Sequence, residues 1–216
     1  MAQNANRKLL EFFLRHKKVA YKKGNIIIRS DETPSGVFYL LQGYVKDYCL
    51  SYEGKSFSLI LFKEKDIFPH NWIFNKTKND HIFEAFTDCI LLRASREEFM
   101  DFLANNPDVL LLVTQNVLIR MGGLFERMEQ LAFGNAEKRV SSIILIFADR
   151  FGKKTPEGTL IPVPLSHKEI AEFIGITRET ASIEIKKLER ANIIVRSSKS
   201  YIVKKHAALL KKSAAL

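Results

Sequence analysis

The sequence predicts an α+β protein: strands gathered in the first half, one long helix near the middle, and two short helices followed by a hairpin at the end. Three observations carry that expectation. Residues 18–93 run as short alternating apolar segments between turn residues, and residues 108–133 repeat apolar side chains alternately four and three apart. The stretch "LSHKEIAEFIGITRETASIEIKKLERANII" holds two helical patterns split by Gly175. With 216 residues and 46% hydrophobic content the chain has length and apolar mass for a real core.

In the first half the runs "NIIIRS", "GVFYLLQG", "YVKDYCL", "FSLILF" and "IFEAFTDCILLRA" read as antiparallel strands of a rolled sheet. Gly24, Gly43 and Gly54 fall between runs, where turns call for a residue without Cβ. "SREEFMDFLANNP" reads as a short helix capped by Ser95, with Glu98 completing a capping box, and Pro107 suits the first turn of the next helix.

That next helix, residues 108–133, would span about 39 Å. Leu110, Thr114, Val117, Met121, Leu124, Met128 and Leu131 form a coiled-coil-like seam with one polar member, and Leu111, Leu118 and Phe125 form a neighbouring stripe. One small β domain cannot cover both, so the seam is expected to meet a second copy of the chain, with burial inside one protomer as the plainer alternative. Gly134 should end this helix and Asn135 cap the following one, placing a hinge there. The domains expected are therefore a sensor (1–107), a dimerisation helix and hinge (108–134) and a C-terminal domain (135–216).

The formal net charge is +10, and residues 136–216 carry 16 Lys/Arg against 8 Asp/Glu. The excess is concentrated where a polyanion would bind, and nucleic acid or an anionic membrane surface are the main candidates. The longest uninterrupted apolar runs, such as residues 109–113, are short for a bilayer, and "MAQNANRKLL" has no apolar signal core. A cytoplasmic protein without a membrane partner is expected. Cys49 and Cys89 cannot assemble a four-thiolate metal site; they read as buried structural thiols, with a redox switch as the alternative. No metal-ligand spacing, nucleophile elbow or phosphate-cradling glycine loop is present, which argues against an enzyme.

Ser166 and Glu169 make a second capping box, Gly175 breaks the helix, and Thr177 caps the next. Ala181, Ile185 and Leu188 face Ile170, Ala171 and Ile174, the logic of a helix-turn-helix. Arg178, Glu179, Ser182, Ile183 and Lys186 then point outward, where an Arg suits guanine, a Glu suits cytosine and an Ile a thymine methyl. "ANIIVRSSKSYIVKK" reads as a hairpin wing whose Arg196 and Lys199 would reach phosphates. Ser166, Lys168 and Thr177, at the helix starts, complete the expected DNA-facing set. An ordinary solvated helix face is the bland alternative for this charge run.

In this order of rolled sheet, long helix and winged helix-turn-helix, with "SHKEIAEFIGITRETASIEIKKLERANII" near its end, the chain resembles the cyclic-AMP receptor protein and fumarate–nitrate regulator family of bacterial transcription factors. The resemblance implies a cyclic-nucleotide-binding-like β-roll and a homodimer on a palindromic operator. It also implies base contacts from Arg178, Glu179 and Ser182. RNA polymerase is a further candidate partner. Two departures stand out. Ile183 occupies a position where the family usually has a second base-reading arginine, so a changed base preference is expected there.

The family's cyclic-nucleotide binders carry a Gly-Glu pair and an Arg-Ser/Thr element. Here Pro69, His70, Asn71 and Trp72 stand where the Gly-Glu pair would fall, and no Arg occurs from Asp66 to Leu92. No cofactor and no cyclic nucleotide are expected. Phe68, His70, Asn71, Trp72, Phe74, Phe83 and Phe86 are the candidate lining of a pocket for an uncharged or aromatic effector, although such aromatics equally build an ordinary core. His70 and His81 suit pH sensing or metal binding, or neither. The family's iron–sulfur sensors hold cysteines near the N-terminus, and none precedes Lys22 here. The competing function is a protein-interaction or small-molecule/redox sensor module that uses the same fold without DNA.

Overall fold

The computed structural model describes residues 2–214. In chain order these form α1 (Ala2–Leu14), β1 (Lys17–Tyr21), β2 (Ile26–Ile28), β3 (Val37–Gln42), β4 (Val45–Leu50), β5 (Ser56–Phe62) and β6 (Ile67–Phe68). Then follow α2 (His70–Asn75), β7 (Ile82–Ala85), β8 (Cys89–Ala94), α3 (Arg96–Ala104), α4 (Pro107–Phe133) and α5 (Ala136–Phe151). The last part holds β9 (Lys153–Thr155), β10 (Gly158–Ile161), α6 (His167–Ile174), α7 (Arg178–Arg190), β11 (Ile194–Ser197), β12 (Ser200–Val203) and α8 (His206–Ser213). The chain divides into two compact units, one running to Leu50 and resuming over Leu59–Met121, the other made of Ser51–Ser58 and everything from Gly122 onward.

The first unit is the rolled sheet expected from the sequence. Its strands pair antiparallel in two sheets, ordered β1-β8-β3-β6 and β2-β7-β4-β5. Strand alternation between two buried faces explains why "VFYLL" is apolar throughout. Phe38 and Leu40 face the second sheet with Leu91, Phe83 and Phe68, while Val37 and Tyr39 face a helical layer with Leu92 and Ala94. That layer takes Ala5, Leu9 and Phe13 from α1, Phe99 and Leu103 from α3, and Val109, Leu112 and Val113 from α4. Gly43 is obligatory in the β3–β4 turn: it has φ +93°, and a Cβ there would meet the Asp88 carbonyl oxygen at 2.3 Å.

In the second unit α5 buries Val140, Ile143, Ile144 and Phe147, with Phe147 edge-on to Phe173 of α6 at 5.1 Å. Three features differ from what the local sequence suggests. The segment "GKKTPEGTLIPVP", which its glycines, prolines and lysines mark as loop-like, forms the β9–β10 hairpin, and β10 pairs with β12, so the wing is a four-stranded sheet ordered β11-β12-β10-β9. "HNWIFN" is the helix α2, closed by Lys76 at φ +54°. The short apolar runs of α4 also understate it, since its best 18-residue window reaches a mean hydropathy of 1.4 with 17% of the window buried, enough by length and composition to cross a membrane.

Candidate nucleic-acid interface

The two short helices are positioned by their caps. The Ser166 hydroxyl accepts from the Glu169 N–H at 3.2 Å and the Glu169 carboxylate accepts from the Ser166 N–H, so the start of α6 is satisfied reciprocally. Gly175 ends α6 in the left-handed region at φ +62°. The Thr177 hydroxyl then accepts from the Thr180 N–H at 3.2 Å and opens α7. Ala181, Ile185 and Leu188 are buried against Ile170, Ala171 and Ile174, as the spacing requires. This leaves Thr177, Arg178, Glu179, Ile183 and Lys186 exposed and Ser182 half-buried along one side of α7. Ile183, an apolar side chain, is 56% exposed, which a core role does not explain.

The wing lies beside them. Lys199 lends its carbonyl oxygen to the Leu165 N–H at 2.9 Å, holding the β11–β12 turn against the residue that precedes the Ser166 cap. Arg196 is exposed, with its guanidinium 5.6 Å from the Tyr201 ring centre and Nη1 3.1 Å from the Tyr201 hydroxyl. Ser166, Lys168 and Lys199 are exposed as well, with Lys168 in a loose 3.8 Å pair with Glu172. All ten residues expected to face DNA thus stand on α6, α7, the residues that cap them, or the wing.

A residue that the sequence reading did not single out supports the turn between the two helices. Arg127 of α4 donates from Nη2 to the Ser58 carbonyl oxygen at 2.7 Å and to the Phe173 carbonyl oxygen at 2.6 Å, with the rings of Phe57 and Phe173 on either side at 5.5 and 5.6 Å. Burial lowers its pKa to about 10. A Cβ at Gly175 would lie 3.6 Å from Phe57 and 3.7 Å from Leu131, so the same side chains floor the turn. At the C-terminal end of α4, Arg139 of α5 donates to the carbonyl oxygens of Leu131 at 2.8 Å and Gly134 at 2.9 Å, closing the last turn where the hinge was expected.

Along α4 the expected seam is largely open. Leu110, Met121 and Met128 are exposed, Val117 and Leu124 half-exposed, and the second stripe of Leu111, Leu118 and Phe125 is exposed too. Leu131 departs from this set, since it turns toward Gly175.

In the first unit the seven residues expected to line an effector pocket do not share one cavity. Phe68 and Phe83 stack at 5.4 Å inside the core between the sheets, and Phe86 is buried. Trp72 and Phe74 pack on the helical layer and Asn71 is exposed, because α2 turns these side chains to different faces. His70 instead meets a cation that the sequence search missed. Arg120 of α4 donates to His70 Nε2 at 2.8 Å, pairs with Asp66 at 2.5 Å and lies 5.1 Å from the Phe62 ring centre. A guanidinium only donates, so His70 accepts at Nε2. The absence of arginine from Asp66 to Leu92 holds, and the charge arrives from fifty residues away in sequence. His81 pairs with the buried Asp47 at 3.2 Å. Among the described residues no cluster of three or more His, Cys, Asp or Glu could hold a metal. Cys89 is buried and Cys49 half-buried.

An antiparallel β-roll, a long helix and a winged helix-turn-helix with an exposed recognition helix define a DNA-binding transcription regulator. The family models agree: a Crp-like helix-turn-helix domain matches residues 138–212 and a cyclic nucleotide-binding domain matches residues 18–106. The chain is 31% identical over 175 residues to the global nitrogen regulator of Synechocystis sp., covering 80% of this chain and 78% of that protein. It is 25% identical to the cAMP-activated global transcriptional regulator CRP of Salmonella typhimurium, over 90% of this chain and 93% of that one. The fold matches a CooA mutant of Carboxydothermus hydrogenoformans with a TM-score of 0.80 at 23% identity, covering 94% of this chain and 90% of the other. The chain belongs to the Crp/Fnr family of transcription regulators.

Proposed function

We propose that the protein acts as a homodimer that reads a palindromic operator, with Arg178, Glu179, Ser182 and Ile183 facing base edges. In this reading Ser166, Lys168, Thr177, Lys186, Arg196 and Lys199 face the backbone. The observation that carries it is the exposed side of α7: its polar and apolar side chains match donor, acceptor and methyl features of the major groove, and the capped helix start presents them. The exposed apolar face of α4 supports the dimer, since side chains such as Leu118 and Phe125 gain from removal from water. Two copies joined through α4 would set their recognition helices about one turn of DNA apart, roughly 34 Å. A DNA-bound regulator of this kind works in the cytoplasm, with RNA polymerase as its further partner when it activates.

The sensor's effector, in this reading, is not a cyclic nucleotide. Pro69-His70-Asn71-Trp72 offers no carboxylate for a ribose, and the nearby cation of Arg120 is already engaged by Asp66. An uncharged or aromatic small molecule fits a sensor whose fixed charge is internally paired. The test is selection of bound duplexes from a random library, followed by binding at increasing salt. A recovered palindrome and an affinity that falls steeply with salt are expected. Recovery of no sequence, or affinity flat in salt, would overturn the reading.

A further inference from the structure

His167 is the first residue of α6, and its ring stands half-buried between the wing and the recognition helix. Its Nε2 lies 3.4 Å from Nη1 of Arg196, whose planar group also engages the Tyr201 hydroxyl. Because arginine has no acceptor, the contact suits a neutral ring whose Nε2 accepts. The charged groups that act on it come from each neighbouring element: Arg196 from β11, and Arg178, Lys186 and Glu189 from α7. Tyr201 of β12 lies behind Arg196, and Lys168 and Glu169 follow in α6 itself. Burial, then the cations led by Arg196, hold the ring below its ordinary pKa of 6.5 in the free protein.

A polyanion would reverse that balance. A phosphate near Arg196 and Lys186 would draw Arg196 away from the imidazole, cancel the local positive field, and offer an acceptor to a protonated ring nitrogen. Neutral imidazole has one N–H to give, and imidazolium has two.

We propose that His167 is a phosphate-contacting residue of the DNA interface that carries its proton only in the complex: neutral in the free chain, imidazolium when DNA is seated. The proton comes from solvent, and no covalent bond is made or broken. The inference rests on the DNA-binding reading of the same face. It makes DNA affinity depend on pH in the window between the two titration points of His167, with one proton taken up per bound protomer.

The experiment is equilibrium binding of the full chain to its selected duplex from pH 5.5 to 8.0 at fixed ionic strength. Wild-type affinity should tighten as pH falls, approaching tenfold per unit per protomer at its steepest. His167→Gln and His167→Arg should both lose this slope, the first because it never charges and the second because it always does. His167→Arg should also bind at pH 8.0 about as tightly as wild type at the acid end. His206→Gln, which breaks the 3.0 Å pair with Asp149, should keep the slope. A pH slope in His167→Gln equal to that of wild type overturns the proposal, as does wild-type binding that is flat with pH. Failure of wild type to bind any duplex at any pH is a different result, and it would bring down the DNA-binding reading itself together with this one. Thermal melts of each variant identify any loss of folding, and the Arg variant supplies binding even where the Gln variant is weak.

Discussion

The guanidinium of Arg127 donates to the carbonyl oxygen of Phe173 at 2.6 Å, one residue before the end of α6. The last carbonyls of a helix lack intrahelical partners, and the negative end of the helix dipole favours a cation there. Arg127 therefore serves as an external cap for the first helix of the pair, and its second bond, to Ser58, draws the tip of the β4–β5 hairpin into the same unit.

Replacing Arg127 with Met should leave two buried carbonyls without this donor and lower the stability of the second unit by about 2–3 kcal/mol, the scale of hydrogen bonds to a charged group. Lys should recover only part of the loss, because one ammonium cannot reproduce the planar fork. Chemical denaturation followed by far-UV circular dichroism measures both. Full stability in Arg127→Met would show that the cap is dispensable.

Leu118→Glu tests the dimer. The side chain is 59% exposed in the protomer, so the charge should cost the fold little. It should weaken self-association by about 2 kcal/mol, the scale of an interface hot spot. Light scattering across a dilution series reports it; an unchanged dimer would remove α4 from the interface.

Arg178→Ala should cost about 1–3 kcal/mol of operator affinity and relax preference at a single base pair in each half-site. Ile183→Arg should convert a thymine preference to guanine at one position. Sequence selection with each variant decides between this register and another placement of α7.

Gly134→Val is expected to weaken DNA binding while leaving base preference intact. A Cβ at Gly134 would meet the Gln130 carbonyl oxygen at 2.6 Å and its side-chain oxygen at 2.7 Å, so the end of α4 must shift. Unchanged affinity would argue against a hinge at this point.

The Asp47–His81 pair should make the first unit less stable as pH rises. The hydrogen bond to Asp47 raises the His81 pKa above 6.5, and burial raises that of Asp47. A raised histidine stabilises fully below its unfolded value, and that stabilisation is lost as pH climbs through its folded value. Asp47 acts in the same sense at lower pH, because ionising its buried carboxyl costs stability as pH climbs above the ordinary carboxylate value. Melting temperatures of wild type should fall from pH 6 toward pH 9, and those of His81→Gln should change less.

Much of this was legible from residue spacing. Capping boxes at Ser95 and Ser166, the left-handed Gly175 and the α4 stripes follow from local chemistry, and local chemistry is what a sequence displays. Arg120 and Arg127 were not legible, because a cation on a helix ordinarily faces water and their partners are an aspartate, an imidazole and two carbonyls distant in sequence. The aromatic segment misled for a related reason: Phe68, Trp72 and Phe83 advertise an apolar environment without saying whether it is filled, and the side chains fill it themselves. The β9–β10 hairpin was hidden because each strand is only three or four residues long and its partner β12 lies forty or more positions away. The helix α1 buries Ala5, Leu9 and Phe13, one turn apart, while its first half is otherwise largely polar.

Arg120 and Arg127 are seven positions apart on one unbroken helix, about 10 Å and nearly two full turns. The first grips an acid and an imidazole, the second two backbone oxygens. Each arginine thus ties its own stretch of α4 to the unit it belongs to, so the helix is fastened separately in both.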